Sequence, residues 1–461
     1  MNKRLSSIKS WIPVFANDND ALIPELWAQE SLMVLENTMV AANLVYRDFE
    51  DEIANFGDTV NAHRPSGFTA KRKTDADAVT VQDATSTNVP VILNQHLHTS
   101  FTIKDGEESK SFKDLVNLYL GPALTSIAQA LDEVVLCQVY EFMANSVGKL
   151  GTAPTRSTVI AANELMNTNK APLQGRNMIL SPNAEGSLLD IDNFVKVNEA
   201  GDDGNALVNA NLGRKFNWNF FMDQNTPSVA TGSTTVTGAI NLIAGYAIGS
   251  TVLVVDNLSA AIVAGSWCTI AGDMVPQMIT ATAGGATPVQ ITVSPGLKSA
   301  VLNDAVITVY TAGDVDFGAG YDAGYAKDVA TSLFTVAPKV GQLMSFGVTA
   351  PRYGLLSTPT TTAMLPNTPL DLAVANGDVV GVGPAGEYCF GFHKNAIALV
   401  VRPLAQPRAG TGALSYVANF NGLSVRVTIT YEGRNQGHLV TIDVLAGVKT
   451  LDTSLGVVMY A

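Results

Sequence analysis

ALTSIAQALDEVVLCQVYEFMANS, residues 123–146, is the stretch whose reading decides the fold. Leu124, Ala128, Leu131, Val135, Val139 and Phe142 step by three or four, the spacing of one helical face, while Gln129, Asp132, Glu133 and Glu141 lie largely off it. A helix from Ala123 to Ser146 would be about 36 Å long at roughly 1.5 Å per residue, enough to serve as a spine. Upstream, Ser111 with Asp114 resembles a capping box, and Gly121-Pro122 predicts a break between that start and the stripe.

Before the spine the periodicity changes. Thr59-Val-Asn-Ala62, Phe68, Val79-Thr-Val-Gln82, Val89-Pro-Val-Ile-Leu93 and His98-Thr-Ser-Phe-Thr-Ile103 are rich in β-branched and aromatic residues and are separated by polar turns. Lys71-Arg-Lys73 lies between two of them, so the segment reads as a long β-hairpin or extended loop with a charged tip. A lone two-stranded ribbon is marginal in water, so this one needs a partner surface. Further upstream, Pro24 opens a predicted amphipathic helix carrying Leu26, Trp27, Met33, Val34 and Val40 to about Ala42. The acidic run Asp48, Glu50, Asp51 and Glu52 follows; a solvated helix end or a set of ion-pair partners is commoner there than paired general acids.

After the spine, Asn177-Met-Ile-Leu180 predicts a strand and Ala184 to Leu189 a short helix, followed by an aromatic cluster at Phe216, Trp218, Phe220 and Phe221. From Pro227 the composition shifts to Ser, Thr, Gly, Ala and Val, and turn-punctuated strands run to about Gly313, the pattern of a small all-β barrel or sandwich. Asp328 to Lys339 predicts a short helix. The end is strand-rich, with Ala396 to Val401, Leu423 to Ile429 and His438 to Leu445. The fold class is therefore α+β.

A chain of 461 residues exceeds one simple core and predicts two or three compact units. Its 47% hydrophobic and 15% charged residues, with 39 Gly and 20 Pro, describe a packed, turn-rich protein whose faces are covered by neighbours. A net charge of −13 argues against a sequence-independent grip on nucleic-acid phosphates. Cys137, Cys268 and Cys389 are isolated in apolar contexts, which predicts buried free thiols rather than disulfides or zinc ligands. The first residues do not form a signal peptide, and no apolar run approaches the roughly 20 residues of a membrane span, so assembly in the cytoplasm is expected.

Catalytic and cofactor patterns are weak. Gly381-Val-Gly-Pro-Ala-Gly386 matches a dinucleotide fingerprint in letters, but no βαβ unit surrounds it and a plain loop is expected. His96 and His98 would project from one face of a strand, without a third metal ligand near in sequence. No nucleophile elbow, phosphate loop or HExxH is present. Neither a catalytic site, a metal nor a cofactor is expected.

Ile23-Pro-Glu-Leu-Trp27, Ala42-Asn-Leu-Val-Tyr-Arg-Asp48, Phe56 to Val60, Arg64-Pro65, Val81-Gln-Asp83 and Asn94-Gln-His-Leu-His98 resemble, in order and spacing, tailed-phage coat proteins of the HK97 fold. The resemblance continues through Gly175 to Pro182, Asp223-Gln-Asn-Thr-Pro227, Phe392-His-Lys394 with Ala396 to Leu399, and Val444 to Lys449, and it points to the branch with a β-rich insertion domain. It implies an N-terminal arm and helix over 1–56, an extended loop over 57–110, and a spine with the first part of the peripheral and axial domains over 111–227. The insertion would occupy 228–312 and the remaining domain parts 313–461.

The same resemblance implies a major capsid protein that assembles with itself into hexamers and pentamers of an icosahedral shell. Scaffolding protein and portal would be partners, a decoration protein is allowed for, and DNA would be enclosed without being read. No membrane is involved; the location is the virion, after assembly in the host cytoplasm. Candidate contacts between subunits are Arg64, Lys71, Arg72 and Lys73 on the loop, meeting acidic residues such as Asp48, Glu50, Asp51 and Glu52 of a neighbour. The rival readings are a tail-tube or adhesin-like structural protein and a secreted β-rich hydrolase.

Overall fold

The computed structural model describes residues 28–29, 31, 33–35, 39–47, 59–64, 70–73, 79, 81, 87–93, 95–105, 115–196, 205–229, 234–285, 289–314, 329–330, 341–347, 352–354, 363–364, 378–408, 412–420, 423–434 and 436–461. Helices and strands are mixed, so the fold is α+β. Two compact units are formed, one from the described residues within Met1–Thr38, His96–Ala128 and Val401–Leu445, the other from those within Met39–Gln95, Gln129–Val400 and Ala446–Ala461.

The spine is a helix over Leu115–Leu136 that tightens into a 3-10 turn over Cys137–Phe142. Leu124, Ala128, Leu131, Val135, Val139 and Phe142 are all buried, as the stripe requires. The expected break at Gly121-Pro122 does not occur. Pro122 forfeits one helical hydrogen bond and strains the preceding turn, a cost of about 3 kcal/mol. Burying Leu120 and Leu124 returns roughly 1.5–3 kcal/mol each, and the proline ring itself faces solvent. The helix also ends before Ser146, which already lies in the strand Ser146–Gly148. A further correction concerns length: Tyr119–Phe142 is long and apolar enough to cross a membrane by length and composition, although much of it is buried inside the protein.

In the second unit the central sheet runs in the order Ser146–Gly148, Gly456–Tyr460, Gly386–His393, Arg176–Leu180, Trp218–Met222, Arg214–Lys215. Helices Arg156–Thr168 and Pro182–Leu189 bury Val159, Met166, Ala184 and Leu188 in a core shared with Met178, Leu180, Trp218, Phe220 and Met459. The second helix starts at Pro182, two residues before the expected Ala184, because Ser181 caps it by accepting from the Ala184 N–H at 3.1 Å.

Strands Thr234–Ile240, Val252–Asp256, Trp267–Ile270, Gln277–Ala283, Gln290–Ser294 and Val306–Asp314 form a closed antiparallel ring. Closure comes from the pairing of Trp267–Ile270 with Tyr310 to Ile307. Alternate residues, among them Leu253, Val255, Cys268, Ile270, Ile279, Ile291, Val293, Ile307 and Val309, fill its interior. Ser228–Val229 pairs instead with Gly386 and Glu387 of the central sheet. The last ring strand continues beyond the barrel to pair with Val379–Val382, which pairs with Leu343–Phe346.

Thr59–Arg64 and Thr87–Ile92 pair in antiparallel register, Val60 with Val91 and Ala62 with Val89, and form a separate two-stranded ribbon. Gln95–Lys104 is not a third member; it pairs with Gly437–Thr450. The ribbon is less bare than its sequence suggested: Val60, Ala62 and Val91 are buried within the subunit. Gly447 lies so close that a Cβ there would sit 2.4 Å from the Ile92 carbonyl oxygen.

In the first unit Ala413–Phe420, Leu423–Glu432 and the start of Gly437–Thr450 form a meander, with Phe101 stacking at a tilt on Tyr119 of the helix. Two expectations need correction. Val79 and Val81 have no regular structure and are exposed, and Val329–Ala330 is a strand paired with Ala363–Met364 rather than helix. Residues 331–340 and the capping pair Ser111 and Asp114 lie outside the described residues; in the predicted N-terminal helix the described Ala28, Gln29, Ser31, Met33, Val34 and Leu35 are helical, whereas Met39 and Val40 are not, and a short helix follows over Ala41–Leu44.

Candidate assembly contacts and a buried acid cluster

The glycine motif is structural. Gly381 lies in a strand and Gly386 opens one, so no helix N-terminus faces it. Cβ atoms at Gly381, Gly383 and Gly386 would meet the Gly265 carbonyl oxygen at 2.2 Å, Leu343 at 2.7 Å and Leu150 at 2.4 Å, so packing explains all three glycines. The thiols of Cys137, Cys268 and Cys389 are free, buried and pushed up by burial, that of Cys389 to about 11. Among the described residues no group of three or more His, Cys, Asp or Glu is placed to hold a metal.

His96 and His98 share a face, with ring centroids 6.3 Å apart. His96 Nε2 lies 3.4 Å from Asp443 Oδ2, and Arg426 grips the same buried carboxylate with Nε 2.9 Å from Oδ1 and a second bond from its terminal nitrogen. This two-pronged ion pair holds adjacent strands together.

The residues singled out for contacts between subunits are described only in part. Lys71, Arg72 and Lys73 are exposed, outside regular structure. Arg64 ends the first ribbon strand opposite Thr87, its side chain outside the description. Asp48, Glu50, Asp51 and Glu52 lie outside the described residues.

Other sequence motifs converge. Tyr46 joins Ala398 in a parallel bridge, donating its N–H to the Ile397 carbonyl and accepting from the Leu399 N–H, while Lys394 Nζ lies 5.7 Å from the centre of its ring. Just before it, Asp132 of the spine accepts from the Val40 N–H on Oδ2 and from the Ala42 N–H on Oδ1, both at 2.8 Å. Asp132 is buried, and burial pushes its carboxyl from 3.8 up to about 7, against the lowering pull of those N–H donors. Asp223 adds its charge to this effect; it is also buried, and raised by burial. Glu133, half-buried, is raised by burial and then by Asp223. Sequence reading placed Asp132 off the apolar stripe and missed this cluster. From Leu131 the helix is enclosed on most sides, so an off-stripe position there is still buried.

No protein-family model matches this chain, and no curated protein matches it. Solved structures similar to it include one from Mycobacterium phage Che8, 13% identical, with a TM-score of 0.42 over 91% of this chain and 90% of that one. The capsid of Ralstonia phage GP4 is 11% identical, with a TM-score of 0.40 over 91% and 87% of the two chains. The capsid of Cyanophage P-SCSP1u is 10% identical, with a TM-score of 0.39 over 88% and 84%. Likeness at this level assigns neither family nor activity.

Proposed function

We propose that this chain is the major capsid protein of a tailed phage, a structural subunit with no active site, built on the HK97 plan. The observation that carries the reading is the ribbon Thr59–Arg64 with Thr87–Ile92, bearing the exposed Lys71 to Lys73 between its strands and standing ahead of a long buried helix. That arrangement coincides with the ordered residue resemblance running through Ala42 to Asp48, Asp223 to Pro227 and Phe392 to Leu399.

A shell subunit works through many weak, geometrically repeated contacts, so that closure confers stability while each contact stays reversible during growth. The ribbon tip, with Arg64 and Lys71 to Lys73, reaches a neighbouring copy and meets acidic residues there, the Asp48 to Glu52 run being the chosen partner. The β barrel supports folding or neighbour contacts. Copies form hexamers and pentamers around DNA that the acidic chain contains without reading, with scaffolding protein and portal as partners, in the host cytoplasm and then in the virion.

Electron microscopy of the expressed protein, with and without its phage partners, tests the reading. Closed shells support it; tubes favour the tail-tube alternative, and monodisperse subunits with hydrolytic activity overturn it.

A further inference from the structure

The barrel is tied to the rest of its unit at both ends of the strand Trp267–Ile270. At the first end Trp267 Nε1 donates to Ser345 Oγ at 2.8 Å. The second end, about 10 Å on at roughly 3.3 Å per residue, leads into the turn 271–274. Gly272 and Met274 take positive φ there, +97° and +52°, an uncommon conformation for methionine. Both of their carbonyls are taken by the chain leaving the spine, just after the strand Ser146–Gly148: Lys149 Nζ donates to Gly272 at 2.6 Å and the Leu150 N–H to Met274 at 3.2 Å.

Asp273, between those carbonyls, is buried and bonds within the barrel. Its Oδ1 accepts from the Lys298 and Ser299 N–H groups at 3.0 and 2.6 Å, and its Oδ2 accepts from Gln277 Nε2 at 3.0 Å. The backbone of Lys298 is thereby fixed, and its Nζ reaches the Ala144 carbonyl, just past the end of the spine, at 2.9 Å. The bonds form a closed circuit in which each side gives the other a lysine. The two lysines are exposed, and exposed bonds of this kind contribute little by themselves. A buried carboxylate with three donors is the strong member, because hydrogen bonds to a charged acceptor are roughly twice as strong as neutral ones.

We propose that Asp273 is the positioning residue of a clasp that docks the barrel on the end of the spine, so that a shift of residues 144–150 carries the barrel with it. An attachment at Trp267 alone leaves a hinge; a second attachment at the far end of the same strand removes that freedom. The clasp lies within one compact unit of one subunit and does not depend on the shell reading.

Hydrogen exchange by mass spectrometry on the full-length protein tests it. Three places are read: the Leu150 amide on the spine side, a peptide covering 296–301 on the barrel side, and the ring strand Val306–Asp314. In Asp273→Ala the Leu150 amide and the 296–301 peptide should lose protection at least about tenfold while the ring strand keeps its own. Leu150 protection unchanged from wild type overturns the clasp, because the carboxylate then serves the barrel alone. If the ring strand loosens as well, Lys149→Met with Lys298→Met decides, since both side chains are exposed and neither change opens the ring core. Leu150 protection should then fall about twofold or more with the ring strand unchanged; any other pattern overturns the clasp.

Discussion

The barrel and the ribbon are both antiparallel β structure in the same unit, yet they solve the edge problem in opposite ways. In the barrel, Trp267–Ile270 pairs on one side with Gln277 and Met278 and on the other with the last strand, so the ring closes around its own core. Among the described residues the ribbon's two strands pair with each other, and Val60, Ala62 and Val91 are the buried side chains described on it. Closure makes a barrel that carries its own stability; an open ribbon borrows stability from whatever covers it.

Four substitutions probe that contrast. The largest loss is expected for Ile307→Ala, which empties a fully buried site in the ring and should cost about 3 kcal/mol in denaturant unfolding. Next comes Gly447→Ala, whose new Cβ would press on the Ile92 carbonyl. A cost of roughly 1–3 kcal/mol is expected, appearing first as lost amide protection in 59–64 and 87–92 while the barrel stays protected. Loss of barrel protection instead would erase the distinction between the two regions. Trp267→Phe removes the 2.8 Å bond from the indole N–H to Ser345 Oγ and should cost about 1 kcal/mol, measurable as a lower unfolding midpoint. Smallest for the single subunit is Arg72→Glu, expected within about 0.5 kcal/mol of wild type because the side chain is exposed. Its effect should appear only in assembly, as a loss of closed shells by microscopy; unchanged assembly would sink the tip contact.

Legibility followed the range of the interactions. The spine stripe from Leu124 to Phe142 was readable because helical periodicity is local, and the barrel strands because β-branched runs between Gly-rich turns announce themselves. Pro122 misled because its local cost is outweighed by the burial of Leu120 and Leu124, which no local pattern weighs. The helix reading of Asp328 to Lys339 failed at Val329 and Ala330 because pairing with Ala363–Met364, more than thirty residues on, overrode propensity. The setting of Asp132 was invisible for the same reason: the backbone N–H groups of Val40 and Ala42 that it holds lie 92 and 90 residues away in sequence.

The sequence by itself determined that the chain is α+β, that a helix runs through residues 123–136, and that strand-forming segments fill the region after Pro227, since each follows from side chains spaced along one element. The tertiary structure alone decided that those segments close into a ring and that Gln95–Lys104 leaves the ribbon for Gly437–Thr450. It also decided that a polar position on the spine becomes a buried carboxyl holding two backbone N–H groups. Periodicity fixes which face of an element is apolar, but the partner that covers the face is set by contacts between residues hundreds of positions apart, where burial and unsatisfied hydrogen bonds are weighed together.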